Sequence, residues 1–534
     1  METEQTDYPF LKGEIAHELD FYKVRETISL FAQSLEGKNK ILSRESVFDK
    51  NQIELWKTLG KECSILLSKV QGEVLQSFLP ILQSLEILKV TGAVLSQEQS
   101  FALGQFCLSF KKAVSLVKSV SEETPLPALK NLLLLKSESE IGIVEKEIFS
   151  ILDSSGELKE IPRLRIIKNK IANLHKEIEN ALHQYTASSL LSKSLQSTVP
   201  VLRGERELIA LKAEHKNDIN GIVHEVSASG STVFIEPAEV VRANNNLMQA
   251  EAELVNETRK VFAELTEKIS EYQNELSECA QALFEFDAAL SSAKWKNQID
   301  GVFAETADIN AEPLFISGAR HPLLGKNAVP VDIHCLDKKR VLIITGPNTG
   351  GKTVTLKTIA LFALLNQAGF PLPAKEGTRI PLFDSIFADI GDEQSIEESL
   401  STFSSHMKKT ALATKNATAN SLVLLDELAS GTDPQEGGAI AMAVLDNLIE
   451  KNAFVIVTTH HGILKNYGYT NAHCTNACME FDSDSLAPTF RLLMGVPGES
   501  HALDIAQNSG LEKQIVQNAR NYLPDGDSTQ DHRL

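Results

Sequence analysis

Gly346-Pro347-Asn348-Thr349-Gly350-Gly351-Lys352-Thr353 is the stretch on which the reading of the fold turns. It fits the pattern G-x-x-x-x-G-K-[ST] of a phosphate-binding P-loop. The run before it, Val341-Leu342-Ile343-Ile344-Thr345, reads as a buried parallel strand. The run after it, from Val354 to Leu365, has helical spacing and neither Gly nor Pro. Strand, glycine loop and helix form the context in which backbone N–H groups and a helix N-terminus close around phosphates. In that context Gly346, Pro347, Asn348, Thr349, Gly350 and Gly351 line the cradle. Lys352 reaches the β- and γ-phosphates and Thr353 holds Mg²⁺.

Leu422-Val423-Leu424-Leu425-Asp426-Glu427 is an apolar strand ending in two carboxylates, the form of a Walker B strand. Asp426 belongs in the Mg²⁺ environment and Glu427 polarises the attacking water. A third strand, Phe454-Val455-Ile456-Val457-Thr458-Thr459, ends in His460-His461. ABC-type ATPases keep a γ-phosphate sensor at that place, and His460 is the candidate; a purely structural histidine is the alternative.

At 534 residues the chain is long enough for about two to four domains. Its hydrophobic fraction of 43% and charged fraction of 23% are ordinary for a globular protein. It contains no run of about 18 apolar residues, so no membrane span is expected. The polar start Met1-Glu2-Thr3-Glu4-Gln5 is unlike a signal peptide. Six cysteines are scattered, and His473-Cys474 with Cys478 makes only an incomplete zinc set. These features point to a reduced, cytoplasmic protein.

The net charge of −19 argues against a surface coated for nucleic acid, though not against a local basic tract. Residues 161–216 carry ten Lys/Arg against five Asp/Glu. A solvated helix face explains that bias equally well.

Leu164, Ile167, Ile171, Leu174, Ile178, Leu182 and Tyr185 fall at three- and four-residue steps, an apolar stripe on one side of a long helix. Leu265, Ile269, Tyr272, Leu276, Cys279, Leu283, Phe286 and Leu290 continue that stepping in a segment without Gly or Pro. As one helix this segment would approach ~90 Å and would have to project from any compact domain. Between the two helices, Glu207-Leu208-Ile209-Ala210-Leu211-Lys212, Gly221-Ile222-Val223-His224-Glu225-Val226 and Thr232-Val233-Phe234-Ile235-Glu236 read as short strands separated by turn residues. The reading is a lever with a β-rich tip. Arg203, Arg206, Lys212 and Lys216 on the tip suit contact with a phosphate backbone; a structural cap on a coiled coil is the alternative.

The expected architecture is an α/β P-loop (ABC-type) ATPase domain plus an all-α core and lever domain, with long helices and a small β-rich clamp insert. The expected divisions are a helical core at 1–162, an ascending lever helix at 163–200 and the β-rich insert at 201–237. A descending lever helix at 238–302, the ATPase domain at 303–520 and a polar tail at 521–534 complete them.

Together these stretches resemble the MutS family of ATPases, in its second bacterial type. The P-loop with Thr349 and Thr353, continued by Val354-Thr355-Leu356-Lys357-Thr358, is similar to that type. So are Ser399-Leu400-Ser401-Thr402-Phe403, Gly431-Thr432-Asp433-Pro434, Gly495-Val496-Pro497-Gly498-Glu499-Ser500 and the tip segments around Gly221-Ile222-Val223-His224. The resemblance implies a homodimer in which Ser401 and Thr402 approach the partner's nucleotide, with His321 of Arg320-His321-Pro322 close to the adenine. It implies an ATP- and Mg²⁺-dependent clamp on branched or recombining DNA that suppresses recombination or serves repair. Some members of that type act instead on stalled or collided ribosomes, and a slow, regulatory ATPase on a coiled-coil dimer is a third reading.

Three departures bear on function. Phe21-Tyr22-Lys23 is not the Phe-x-Glu wedge of mismatch readers, so mismatch recognition is not expected. The small nuclease domain common in the second type has no counterpart in these residues, so nuclease activity is not expected in this chain. Ala429-Ser430 stands where the family usually carries a Gly-rich pair after Walker B.

Overall fold

Long apolar stripes need partners, and the stripe of residues 164–185 finds one in the helix that begins at Ala238. The computed structural model describes residues 13–134, 138–204, 206–309, 314–335, 339–347, 350–391, 399–482, 487–496, 503, 506 and 510–522. The chain divides into two compact units. One comprises residues 77–113 and 136–281; the other comprises 1–76, 114–135 and 282–534. The helical stretch expected at 1–162 is therefore distributed over both.

In the first unit, helix Pro162–Thr186 packs on helix Ala238–Ser270. Leu174, Ile178 and Leu182 of one meet Val240, Ala243, Leu247 and Ala250 of the other. Arg163 pairs with Glu264 at 2.7 Å and Lys170 with Glu253 at 3.0 Å, the descending partner numbers of an antiparallel pair. These exposed pairs set register and add little stability.

The ascending helix stops at Thr186 rather than continuing to residue 200. The apolar stripe ends at Tyr185, and the serines beyond it bond to nearby backbone instead. Ser192 Oγ donates to the Ser189 carbonyl at 2.9 Å, and Ser197 Oγ to that of Val199 at 3.0 Å. Leu195 then turns inward and bridges to Leu211.

Four antiparallel strands follow: β1 (Val201–Arg203), β2 (Arg206–Lys212), β3 (Gly221–Val226) and β4 (Thr232–Pro237), in the order β1-β2-β4-β3. Ile209, Leu211, Val233 and Ile235 face the paired helices, while Leu208, Ala210 and Phe234 form a second small cluster on the other side. Burial on both sides explains the unbroken apolar run in β2. The edge strand β3 is exposed along its whole length.

Residues 238–302 hold two helices, Ala238–Ser270 and Gln273–Ile299, not one rod of ~90 Å. At the break, the Tyr272 N–H bonds to the Ile269 carbonyl and Ser270 Oγ turns back onto Glu267. The second helix does not project. Leu283, Phe284, Phe286, Ala288, Leu290, Ala293 and Trp295 are all buried, so from residue 282 it is a core element of the second unit.

Among the described residues, that unit carries ten strands in two sheets. β5 (Glu305–Ala307), β6 (Phe315–Ala319), β7 (Val331–His334) and β9 (Arg379–Pro381) form a small sheet in the order β5-β9-β6-β7. The larger sheet has the order β10-β11-β12-β8-β13-β14. It is built from β8 (Val341–Thr345), β10 (Ser385–Asp389), β11 (Ser421–Leu425), β12 (Phe454–Thr459), β13 (Cys474–Asp482) and β14 (Ala487–Met494). Every pairing in it is parallel except β13 with β14.

Alternate residues of the central strands feed two cores: Leu342, Ile344, Leu422, Leu424 and Ile456 on one face, Val341, Ile343, Val423, Val455 and Val457 on the other. Both faces of this sheet are covered, which is why its strands read as continuous apolar runs. Helix Lys352–Gln367 lies against it with its far end pinned. Gln367 Nε2 donates to the carbonyls of Val47 and Phe383, and Gln367 Oε1 accepts the Phe383 N–H. All six cysteines are buried and unbridged. Among the described residues, none of three or more His, Cys, Asp or Glu cluster as a metal site, and no helix is long and apolar enough to cross a membrane.

Candidate active site

Parallel strands deliver their C-terminal ends to one edge, where ligands of such sheets bind. Here the loops after β8, β11 and β12 meet. Gly346 (φ 134°) and Gly351 (φ 95°) adopt backbone conformations that favour glycine. A Cβ on Gly346 or Gly350 would lie 3.1 Å from Met479 Cβ, and one on Gly351 would lie 3.3 Å from Phe490 Cδ1. The glycines thus serve the turn and also its close seating on the β13–β14 hairpin. Asn348 and Thr349 lie outside the described residues.

Lys352 opens the helix and is buried, with Nζ donating to the Gly346 carbonyl at 2.7 Å. Burial holds its pKa below the usual lysine value, against the opposing pull of Glu427 and Asp426. Thr353 Oγ1 donates to Asp426 Oδ2 at 2.6 Å, joining the P-loop to the Walker B strand. A threonine hydroxyl beside a carboxylate is an all-oxygen donor set, which fits Mg²⁺.

The chain then turns sharply. Glu427 (φ 48°) and Ala429 (φ 61°) both occupy the left-handed region, where non-glycine residues are strained. His460 follows the end of β12, its pKa lowered by burial and then by the charge of Lys352. His461 stacks on it with ring centroids 4.4 Å apart, and its pKa is lowered by burial and by His460.

Ala429 supplies a direct test of the turn. Its carbonyl lies 2.6 Å from where a Cβ on Gly437 would stand, so the strained loop is also tightly seated. Ala429→Gly should stabilise the protein by about 1 kcal/mol, the left-handed penalty relieved minus the added flexibility of glycine. Chemical denaturation that showed a loss of stability would contradict the strain.

Gly346, Gly350, Gly351, Lys352, Thr353, Asp426, Glu427 and His460 therefore come together. His321 does not join them in any described contact. It sits before the short helix Pro322–Asn327, with its pKa lowered mainly by burial and with Asp20 and Lys357 as its charged neighbours. Ser401 and Thr402 fall in the first turn of helix Ser399–Asn416, and their side chains lie outside the described residues.

The candidate nucleic-acid contacts are less free than their composition implies. Arg206 pairs at 2.6 Å with the fully buried Glu236, which also meets His224 at 2.6 Å and Asn244 at 2.8 Å. Its guanidinium compensates a buried charge. Arg203 lies over the Phe234 ring and pairs with Glu225 at 3.6 Å. Lys212 Nζ donates to the Lys193 carbonyl at 2.8 Å. Of the four, Arg203 and Lys216 are exposed, and Arg206 and Lys212 are half-buried.

Three residues at the candidate site are not singled out by sequence: Thr458, Met479 and Phe490. Thr458 could have been suspected from its place two residues before His460. Met479 and Phe490 carry no local signal, because only the pairing of β13 with β8 puts their hairpin against the P-loop.

Comparison with known proteins agrees with the geometry. Residues 342–525 match the family described as MutS domain V. The chain is 36% identical over 522 residues to Endonuclease MutS2 of Bacillus velezensis, covering 96% of this chain and 65% of that protein. It is 35% identical over 518 residues to Endonuclease MutS2 of Enterococcus faecalis, covering 96% and 64%. With Endonuclease MutS2 of Thermotoga maritima the identity is 43% over 381 residues, covering 71% and 50%. The chain thus spans just under two thirds of the length of the first two relatives. With the P-loop, the Walker B pair and these likenesses in register, the chain belongs to the MutS family of ATPases, among its MutS2-type members.

Proposed function

We propose that this chain binds ATP with Mg²⁺, hydrolyses it, and works as a homodimeric clamp on nucleic acid. The observation that carries the reading is the single carboxylate of Asp426 bonded to the P-loop hydroxyl of Thr353, with Glu427 next in the chain. Residues 346–353 hold the phosphates, and Lys352 neutralises charge on them. Thr353 and Asp426 hold Mg²⁺, which when bound stabilises the developing phosphate charge. Glu427 accepts the proton of the attacking water. His460, kept neutral by burial and by Lys352, offers a hydrogen bond to the terminal phosphate. Phe490, half-exposed against Gly351, offers a ring face for the base. Ser401 and Thr402 complete the partner's site, so turnover requires the dimer.

For the ligand we infer branched or recombining DNA, with suppression of recombination or a part in repair as the outcome. The relatives' name speaks of endonucleases longer than this chain, and no nuclease step is assigned to the residues described above. One observation favours a second ligand, the ribosome. The tip pairs Arg203 and Arg206 with its own acids and exposes Leu190, Val199, Leu202, Ile222, Val223 and Val226, a mixed apolar and polar surface suited to ribonucleoprotein.

ATPase rates of the purified dimer with a four-way DNA junction, and in parallel with ribosomes, separate the two. Stimulation by the junction alone supports the DNA clamp; stimulation by ribosomes alone replaces it with ribosome rescue. For either ligand, Lys193→Ala with Lys216→Ala should lower the slope of log affinity against log salt by about 1–2, roughly one per phosphate contact. An unchanged slope would remove the tip from the interface.

A further inference from the structure

Thr458 is fully buried near the end of β12, and its hydroxyl lies between the two acidic residues of the site. Leu425 pairs with Val457, so the next residues along, Asp426 and Thr458, face each other just beyond the last pair of the ladder. The Thr458 hydroxyl donates to Asp426 Oδ1 and accepts the Glu427 N–H at 2.9 Å. The Thr458 carbonyl accepts the Leu428 N–H at 3.3 Å.

A hydroxyl has one proton. With that proton given to Asp426 and a lone pair given to the Glu427 N–H, its orientation is settled from both sides. Asp426 Oδ1 is thereby occupied, and Oδ2 is the oxygen turned toward Thr353. The same hydroxyl ties down the backbone of Glu427, whose φ of 48° needs surrounding contacts to persist.

We propose that Thr458 is a positioning residue for the acidic pair: it selects which carboxylate oxygen of Asp426 faces the divalent cation and holds Glu427 in its left-handed turn. Its hydroxyl is engaged by Asp426 and the Glu427 N–H, so it acts through them. Its place on a buried strand makes it a rigid support, and groups that orient metal ligands from behind control affinity for the metal. This inference rests on the ATPase reading of the site.

The test uses the full chain, a fluorescent ATP analogue and a Mg²⁺ titration. T458V keeps the shape and loses the hydroxyl; T458S keeps the hydroxyl. In T458V the Mg²⁺ concentration for half-maximal binding should rise about 10- to 100-fold, with metal-free nucleotide affinity changed no more than about twofold. T458S should restore the parent value. An unchanged Mg²⁺ midpoint in T458V, or a T458S that behaves like T458V, would overturn the proposal. Should T458V fail to fold by thermal melting, the pair T458A and T458S takes its place: the same separation is expected, and equal midpoints refute it. A parent chain that bound no nucleotide would overturn the ATPase reading and this inference together; a parent that binds, with variants unchanged, overturns this inference alone.

Discussion

Glu427→Gln is expected to slow ATP turnover about 100-fold or more while leaving nucleotide and Mg²⁺ binding near the parent level. The substitution keeps the size of the side chain and removes its capacity to take a proton. Its effect on the backbone is small, because the turn at Glu427 is held through main-chain groups. The Glu427 N–H goes to Thr458, and the Ser430 N–H goes to the Glu427 carbonyl at 2.9 Å. The lost function is therefore water activation and not assembly of the site. Single-turnover hydrolysis measured beside equilibrium binding separates the two. Turnover within a few-fold of the parent, with binding intact, would place the base elsewhere and would favour a slow, regulatory ATPase.

Lys352→Ala is expected to abolish nucleotide binding in practice, with affinity falling about 100-fold or more as charge-assisted hydrogen bonds to phosphate are lost. Lys352 is 1% exposed, and its Nζ bonds to the Gly346 carbonyl, so the ammonium is held inside the loop that it serves. Burial is costly for a cation, which is why its pKa lies below the ordinary value despite the opposing pull of Glu427 and Asp426. A phosphate chain adds charge-assisted hydrogen bonds to this ammonium, and truncation removes that gain. Calorimetric titration with ATP is the direct measurement. An unchanged affinity would refute the P-loop assignment, and a chain that no longer melts cooperatively would move Lys352 from binding to folding.

The candidate site was legible because its parts are local. A glycine loop between a buried strand and a helix is a contiguous pattern, and 346–353 carries the backbone geometry and the reactive groups in eight consecutive residues. The Walker B acids are likewise adjacent in sequence, at the exit of a strand covered on both faces. What was misread involved contacts between distant residues. The segment 238–302 kept a helical stepping that says nothing of what covers the far side. Packing around Phe284, Phe286 and Trp295 turned its second half from a projecting rod into core. Arg206, expected on the tip to suit a phosphate backbone, is brought by the sheet to 2.6 Å from Glu236, thirty residues on.

By itself, then, the sequence determined the P-loop, the acidic pair, the histidine at the end of the third strand and the membership in a family of ATPases. Each depends on short-range spacing, and the backbone conformation of a loop is set largely by its own residues. Tertiary structure alone decided which charges remain free on the tip and which aromatic ring lies against the P-loop. It alone decided, too, that one buried hydroxyl on β12 holds both acids. Those outcomes depend on strand register, where a shift of one residue turns every side chain to the opposite face, and no local pattern records which register is adopted.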